Sequence, residues 1–98
     1  MGLTFYNRHG DVVTIEDLPS DDAAVEDYIR VALDDVGEAS VSTILLMLPI
    51  SYTGNRPIFE TVVFVKGEPE LTRRWHSEAA ALAGHAEIVE ILQDEQRL

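Results

Sequence analysis

The chain contains no cysteine among its 98 residues. Disulfides, thiolate metal sites and a cysteine nucleophile are therefore excluded. Long apolar runs are missing too, because the longest, Ile44 to Ile50, is far shorter than the roughly 20 residues that a membrane-spanning helix needs. The first residues carry neither a basic segment nor an apolar stretch of the kind that begins a secretory signal. We therefore expect a cytoplasmic protein.

Basic residues are scarce, with 7 Lys and Arg against 18 Asp and Glu, and the formal net charge is −11. The imbalance is concentrated in residues 1–39, which carry ten acidic and two basic residues, a net charge of −8. Such a chain repels nucleic-acid phosphates and anionic membrane surfaces, so neither is expected as a partner. The acidic residues suit either a basic protein surface as partner or solubility alone, and the sequence leaves both open.

Two runs rich in β-branched and aromatic residues form the strongest pattern in the chain. They cover Ser40–Leu48 and Ile58–Val65, and the loop Tyr52–Pro57 lies between them. With 46% hydrophobic and 26% charged residues, the composition is that of a globular protein with one core. The two runs therefore predict neighbouring central strands of a single domain that covers residues 1–98.

The first part of the chain predicts a hairpin and a short helix. Asn7 and Gly10 favour a tight turn between short strands at Leu3–Tyr6 and Val12–Ile15. After a polar loop, Ser20 is a candidate N-cap for a short helix that extends to Asp27.

The pattern from Tyr28 to Val36 fits two structures. Its apolar residues continue a helical spacing that ends at Gly37, but from Tyr28 onward they also alternate as in a strand. In the strand interpretation, Gly37 and Glu38 turn the chain into Ser40–Leu48 as an antiparallel hairpin. Periodicity alone leaves both open, and the family pattern described below leads us to predict a strand.

The C-terminal part predicts an edge strand at Glu70–Trp75 and then a helix from Ser77 to about Gln93. Gly84 is predicted to lie away from the apolar stripe that docks this helix. The stripe consists of Leu82, Ala86, Val89 and Leu92, widened by Ala79 and Ile88.

The order of these elements predicts an α+β fold. We expect an antiparallel β-meander of about four core strands plus an N-terminal hairpin. The C-terminal helix packs on one face of the meander, and a short helix near residues 20–27 is an additional element.

Seven short segments of the chain together form a distinctive pattern: Asp27–Ala32, Val36–Gly37, Val41–Ile44, Pro57–Phe64, Arg74–Trp75, Glu78–Ala79 and Gly84–His85. They resemble a family of small uncharacterised proteins encoded by actinobacterial phages and mobile elements. The family pattern runs V-S-T-V, F-E-T-M-V-F, R-Y-x-T-W and E-A-x-x-G-H, and the resemblance covers about residues 27 to 89. It implies a phage or mobile-element protein acting in a bacterial host cell, but no mechanism. Members commonly carry Asp-His after the first core strand, where this chain has Pro49 and Ile50, so a site built on that pair is not carried over.

Catalytic signatures are scarce. The sequence has no H-x-x-x-H or H-E-x-x-H spacing, no G-x-S-x-G elbow and no glycine-rich loop before a helix. We therefore predict no catalytic residue, no metal site and no cofactor, and a protein that is not an enzyme.

One polar cluster is a candidate site. Glu60 lies in an otherwise apolar strand, where a cross-strand arginine would make it a register-setting residue. His85 lies in the predicted helix, where a core histidine satisfied by a hydrogen bond is the usual case. The candidate cluster consists of Glu60, Arg73, Arg74 and His85.

The leading functional hypothesis is a small acidic accessory protein that binds another macromolecule, for example as an inhibitor of a host defence or nucleic-acid-binding protein. The alternative is an oligomeric binder of an anionic or nucleotide-like small molecule, using arginines such as Arg56, Arg73 or Arg74. Exposed sheet edges would also allow a homodimer. The candidate interaction surface consists of Asp21, Asp22, Glu26, Asp27, Asp34, Asp35, Tyr52, Asn55 and Arg56.

Overall fold

The computed structural model describes residues 3–96 and has an α+β architecture. The predicted architecture is confirmed: a four-stranded antiparallel sheet, a separate two-stranded hairpin and a C-terminal helix against the sheet. The elements are β1 (Thr4–Tyr6), β2 (Val12–Thr14), α1 (Asp22–Ile29), β3 (Arg30–Val36), β4 (Ala39–Leu45), α2 (Ile50–Thr53), β5 (Phe59–Val65), β6 (Glu68–Trp75) and α3 (Glu78–Gln96). A single 3-10 turn, Ile15–Asp17, follows β2.

The ambiguous segment divides between the two structures that its pattern allowed. Tyr28 and Ile29 are the last residues of α1, and the strand begins at Arg30. The N-cap is Asp21 rather than the predicted Ser20, because the Asp21 carboxylate accepts a hydrogen bond from the backbone N–H of Ala23 at 3.0 Å. Both helix boundaries therefore lie later in the chain than predicted.

The main sheet has the order β3-β4-β5-β6, and every neighbouring pair is antiparallel. Gly37 has a φ of 61° in the tight turn between β3 and β4, a conformation that glycine adopts without strain. A register shift follows Arg30 in β3, and a second one follows Val63 opposite β6. The last strand starts at Glu68, two residues before the predicted Glu70.

Side chains alternate along the sheet between a face under α3 and an open face. Val41, Leu45 and Phe59 are fully or almost fully buried on the helix-covered face. Leu45 and Phe59 pack with Ala81 of α3, and the cluster that contains Val41 packs against the second half of the helix. Ile44 and Val62, which point the other way, are only half-buried. The core therefore lies between one face of the sheet and α3.

The predicted docking face of α3 was wrong in the first half of the helix. Leu82 is 44% exposed and Ala79 and Ala86 are exposed, whereas Gly84 is buried. Hydrophobicity placed Leu82 on the inside, but the first half of the helix turns Ala81 and Gly84 toward the sheet instead. The residues that face the sheet are Ala81, Gly84, His85, Ile88, Val89 and Leu92.

Candidate functional site

A chain of hydrogen-bonded side chains crosses the core between the sheet and α3. Trp75 Nε1 lies 2.9 Å from Thr61 Oγ1, and Thr61 Oγ1 lies 2.6 Å from Thr43 Oγ1. Thr43 Oγ1 is 2.7 Å from His85 Nδ1, and His85 Nε2 is 2.7 Å from Asp34 Oδ2. Side chains from β3, β4, β5, β6 and α3 thus meet in one line that runs from one sheet edge to the other.

The ends of this chain fix the direction of every hydrogen bond when the imidazole is neutral. An indole nitrogen only donates and a carboxylate only accepts, so Trp75 donates to Thr61 and His85 Nε2–H donates to Asp34. Nδ1 of the neutral ring must then accept the hydroxyl proton of Thr43, and Thr43 accepts that of Thr61. Each hydroxyl is used once as donor and at least once as acceptor.

The sheet register explains why the two threonines meet. Thr43 and Thr61 are direct cross-strand partners on the helix-covered face, within short hydrogen-bond distance. Their flanking residues Val41 and Val63 are buried on the same face. The threonines therefore form a polar stripe through an otherwise apolar core.

Gly84 makes room for the tryptophan that begins the chain of hydrogen bonds. A Cβ at this position would overlap the six-membered ring of Trp75, with the Cζ3 atom at 2.8 Å among the contacts. Glycine therefore lets the α3 backbone approach the indole closely. The next residue, His85, reaches the sheet beside it, which gives the adjacent Gly-His pair a shared packing role.

The line Thr43–His85–Asp34 has the residue types of a nucleophile, a base and an orienting carboxylate. Catalysis would require the hydroxyl to meet a substrate, and Thr43 is 0% exposed with its oxygen engaged by Thr61 and His85. What the arrangement does in this structure is join α3 to the sheet. No buried side-chain nitrogen or oxygen in residues 3–96 lacks a hydrogen-bond partner.

The structure separates the predicted polar cluster into two sets. Glu60 and Arg74 are brought together as a cross-strand ion pair, with Arg74 Nε 3.1 Å from Glu60 Oε2 on the open face of the sheet. His85 lies on the opposite, helix-covered face with Thr43 and Asp34. Arg73 also points to the helix-covered side and donates to the Thr72 carbonyl at 3.0 Å. The grouping of all four residues is therefore corrected.

The predicted interaction surface contains acids with two different roles. Asp21 caps α1, Asp34 binds His85, and Asp35 accepts a hydrogen bond from Ser40 at 2.6 Å. Sequence reasoning gave these carboxylates no internal partner. Three other acids, Asp22, Glu26 and Asp27, are exposed on α1 and have no side-chain hydrogen bond or ion pair within residues 3–96. The remaining predicted residues, Tyr52, Asn55 and Arg56, are exposed around the end of α2.

An apolar pocket of about 330 Å³ opens beside α1. Ile15, Leu18 and Pro19 of the preceding segment form one wall, and Val25 and Ile29 of α1 form another. Met47, Ser20 and Tyr28 complete its lining. The size is at the lower end of the range for pockets that hold small molecules or large side chains.

The segment that forms the pocket is strongly acidic. Glu16 and Asp17 lie in the chain between the wall residues Ile15 and Leu18. Asp21, Asp22 and Glu26 lie in the chain on either side of Val25, which belongs to the helical wall. An apolar hollow within an acidic surface combines a site for an apolar side chain with long-range attraction for positive charge.

No group of three or more histidine, aspartate or glutamate side chains in the described part of the chain is placed to hold a metal ion. No helix of residues 3–96 is long and apolar enough to cross a membrane. No protein-family model, curated protein or solved structure matches this chain.

Sequence reasoning missed most of the buried chain of hydrogen bonds. Thr43, Thr61 and Trp75 were absent from the candidate site, although both threonines lie at the centre of apolar strands. A hydroxyl in a strand that is apolar on both sides requires a buried partner, and this signal could have linked them. Gly84 next to His85 within a helix was a second signal, since a helix interior disfavours glycine without a packing reason.

Proposed function

We propose that this protein is a non-enzymatic binding module that engages a basic segment of another protein. The contact surface is the acidic outer side of α1 together with the apolar pocket at its base. The partner presents an apolar side chain flanked by lysine or arginine. The observation that carries the proposal is that the exposed acids of α1 have no partner within residues 3–96, while Glu26 and Asp27 are chain neighbours of Val25 and Tyr28, which line the 330 Å³ pocket.

The two sides of α1 support this division of roles. Asp22, Glu26 and Asp27 lie on the exposed side of the helix, whereas Val25 and Ile29 are half-buried and line the pocket. Carboxylates that have no hydrogen bond or ion pair within residues 3–96 remain available to a partner. Electrostatic attraction of this kind raises association rates, and burial of an apolar side chain supplies affinity.

A sharper form of the proposal is an inhibitor that occupies the nucleic-acid-binding surface of a host defence protein. Such surfaces are basic, because they neutralise phosphates. The charge of −11, most of it within residues 1–39, makes the protein a suitable competitor for them. The resemblance to phage and mobile-element proteins supports the same setting.

The alternative, an oligomeric binder of an anionic small molecule, has less support. Arg74 is paired with Glu60, and Arg56 lies in the loop after α2, outside the strand that carries Arg73 and Arg74. No observation on this molecule favours that alternative over a protein partner.

The test uses the immobilised protein and an actinobacterial lysate, with bound proteins identified by mass spectrometry. The site variant is Asp22→Asn/Glu26→Gln/Asp27→Asn, which removes three charges from α1. The matched control is Glu87→Gln/Glu90→Gln/Glu95→Gln, which removes three charges from exposed positions on α3. We expect wild type and control to retain the same protein, and the site variant to lose it.

Salt dependence distinguishes this complex from a purely apolar one. We expect the retained protein to elute as salt rises from about 0.05 to 0.5 M, because exposed charge pairs are screened over this range. A partner retained equally by wild type and site variant would refute the proposal. A partner lost equally from the site variant and the α3 control would show attraction to bulk charge instead, which also refutes it.

A further inference from the structure

The outer edge strand β6 carries acidic residues in one half and basic residues in the other. Glu68 and Glu70 lie in its first half, and Arg73 and Arg74 lie in its second half. Because β6 is last in the order β3-β4-β5-β6, its outer backbone edge pairs with no other strand of residues 3–96. We propose that two copies of this protein pair through β6, antiparallel to each other, as a symmetric dimer with one continuous eight-stranded sheet.

Antiparallel self-pairing turns the charge pattern into complementarity. The acidic first half of one strand then lies beside the basic second half of the other, whereas a parallel arrangement would align like charges. With Thr72 opposite its own copy, Leu71 lies opposite Arg73 of the second copy on the helix-covered side of the sheet. Glu70 lines the same helix-covered cavity as Leu71, so it adjoins that Arg73, and the contact occurs twice by symmetry. Neither Glu68 nor Glu70 has a side-chain hydrogen bond or ion pair among the described residues, and Arg73 donates only to the Thr72 carbonyl.

The other sheet edge is less suited to this role. β3 also has both signs of charge, with Arg30 at its start and Asp34 and Asp35 near its end. Both carboxylates are already engaged, by His85 and by Ser40, and a register shift follows Arg30. Pairing of β3 with β6 of a second copy in antiparallel orientation would bring Arg30 toward Arg74, which is unfavourable.

The helix-covered side supplies an apolar contribution at the same edge. α3 lies mainly over β3 and β4 and leaves a groove along β6. Cavities of about 230 and 400 Å³ follow this groove, and Leu71, Ile88 and Ile91 line both. Ile91 is 50% exposed. With Thr72 opposite its copy, Arg73 lies opposite Leu71 of the second copy, where its aliphatic stem covers the leucine.

Pro69 and the register shift at the start of β6 limit the pairing but do not prevent it. Proline and bulges are devices that blunt exposed edges, and both occur before Leu71. In the two-fold arrangement they confine regular backbone pairing to residues 71–73 of each copy. Because a two-fold contact uses the same edge twice, the assembly closes at two copies and does not extend into a fibre.

The test compares two edge variants, alone and mixed, by light scattering and sedimentation. The basic variant is Glu68→Lys/Glu70→Lys, and the acidic variant is Arg73→Glu/Arg74→Gln, in which glutamine avoids repulsion with Glu60. We expect wild type to have twice the chain mass of 10.9 kDa and each variant alone to fall to the single-chain mass. An equimolar mixture of the two variants restores the doubled mass, because their edges are again complementary.

A charge-matched variant and a check of folding complete the test. Glu26→Lys/Asp27→Lys changes charge by the same amount on α1 and leaves the dimer mass unchanged. Thermal unfolding of each edge variant checks that it folds, and the restored mixture is itself evidence of folded chains. Wild type that remains a monomer up to about 1 mM, or edge variants that remain dimeric, overturns the proposal. The result is independent of the proposed basic partner, because α1 and β6 are different surfaces.

Discussion

The core beneath α3 and the surface of α1 are both rich in polar groups. The polar groups of the core are hydrogen-bonded to one another, whereas the carboxylates of α1 are exposed and, in the described part of the chain, unpaired. In the core, Trp75, Thr61, Thr43 and His85 are each engaged by the next side chain in the line. On α1, the carboxylates of Asp22, Glu26 and Asp27 have no partner within residues 3–96. A buried polar group without a partner costs free energy, whereas an exposed carboxylate keeps its water.

This difference separates residues that maintain the fold from residues that are available for binding. Substitutions in the buried line should lower stability without a direct effect on the surface. Substitutions on α1 should leave stability almost unchanged and alter binding. Asp34 stands between the two classes, because it binds His85 at one edge of the sheet while its side chain is 55% exposed.

The largest loss of stability is expected for Gly84→Ala. Helix propensity alone would stabilise the protein by about 1 kcal/mol, since alanine is the better helix former. The added Cβ overlaps the Trp75 ring, and overpacking of this kind costs about 1–3 kcal/mol or more. The indole cannot move away without losing its hydrogen bond to Thr61. We therefore expect the free energy of unfolding to fall by about 2 kcal/mol or more, measured by chemical denaturation.

The control for Gly84→Ala is Ala83→Gly on the exposed side of the same helix. It should cost only the propensity difference of about 1 kcal/mol. If Gly84→Ala raised stability instead, that result would contradict the close contact between the α3 backbone and the Trp75 ring.

The second-largest loss of stability is expected for Thr43→Val, which keeps the side-chain shape and removes the hydroxyl. His85 Nδ1 then loses its donor and the Thr61 hydroxyl loses its acceptor, both in the buried core. We expect a loss of about 2 kcal/mol, within the range for unsatisfied buried polar groups. The same change at the exposed Thr72 of the open face should alter stability by less than about 0.5 kcal/mol.

Ring ¹⁵N NMR of His85 provides a second measurement on the Thr43 variant. In wild type, the neutral ring should carry its proton on Nε2 and accept at Nδ1, and Thr43→Val should shift the Nδ1 resonance most. An Nδ1–H tautomer in wild type would contradict the direction of the whole line of hydrogen bonds.

The sequence predicted the architecture because the fold depends on alternation and turns, which are local. The runs around Thr43 and Thr61 identified the central strands, and the Gly37 turn supported the β3–β4 hairpin. The orientation of α3 could not be predicted in this way. Hydrophobicity favours Leu82 on the inside, but a ring from another strand selects Gly84 as the contact, and that information is not local.

The candidate site was predictable only in part, for the same reason. Glu60 and Arg74 form a cross-strand pair between neighbouring strands, so strand alternation was sufficient to suggest it. The pairing of His85 with Asp34 joins residues 51 positions apart in the chain. No periodicity links such residues, and their contact depends on how α3 crosses the sheet.

The smallest effect on stability is expected for Asp22→Asn/Glu26→Gln/Asp27→Asn. Loss of Asp22 from the first turn weakens its favourable interaction with the helix dipole, while removal of three negative charges relieves repulsion in residues 1–39. These contributions oppose each other, so the free energy of unfolding should change by less than about 0.5 kcal/mol. Asp21→Ala provides the contrast, because it removes the N-cap and should cost about 1 kcal/mol. A loss above that value in the triple variant would mean that the α1 carboxylates maintain the fold, and the division between core and surface would then fail.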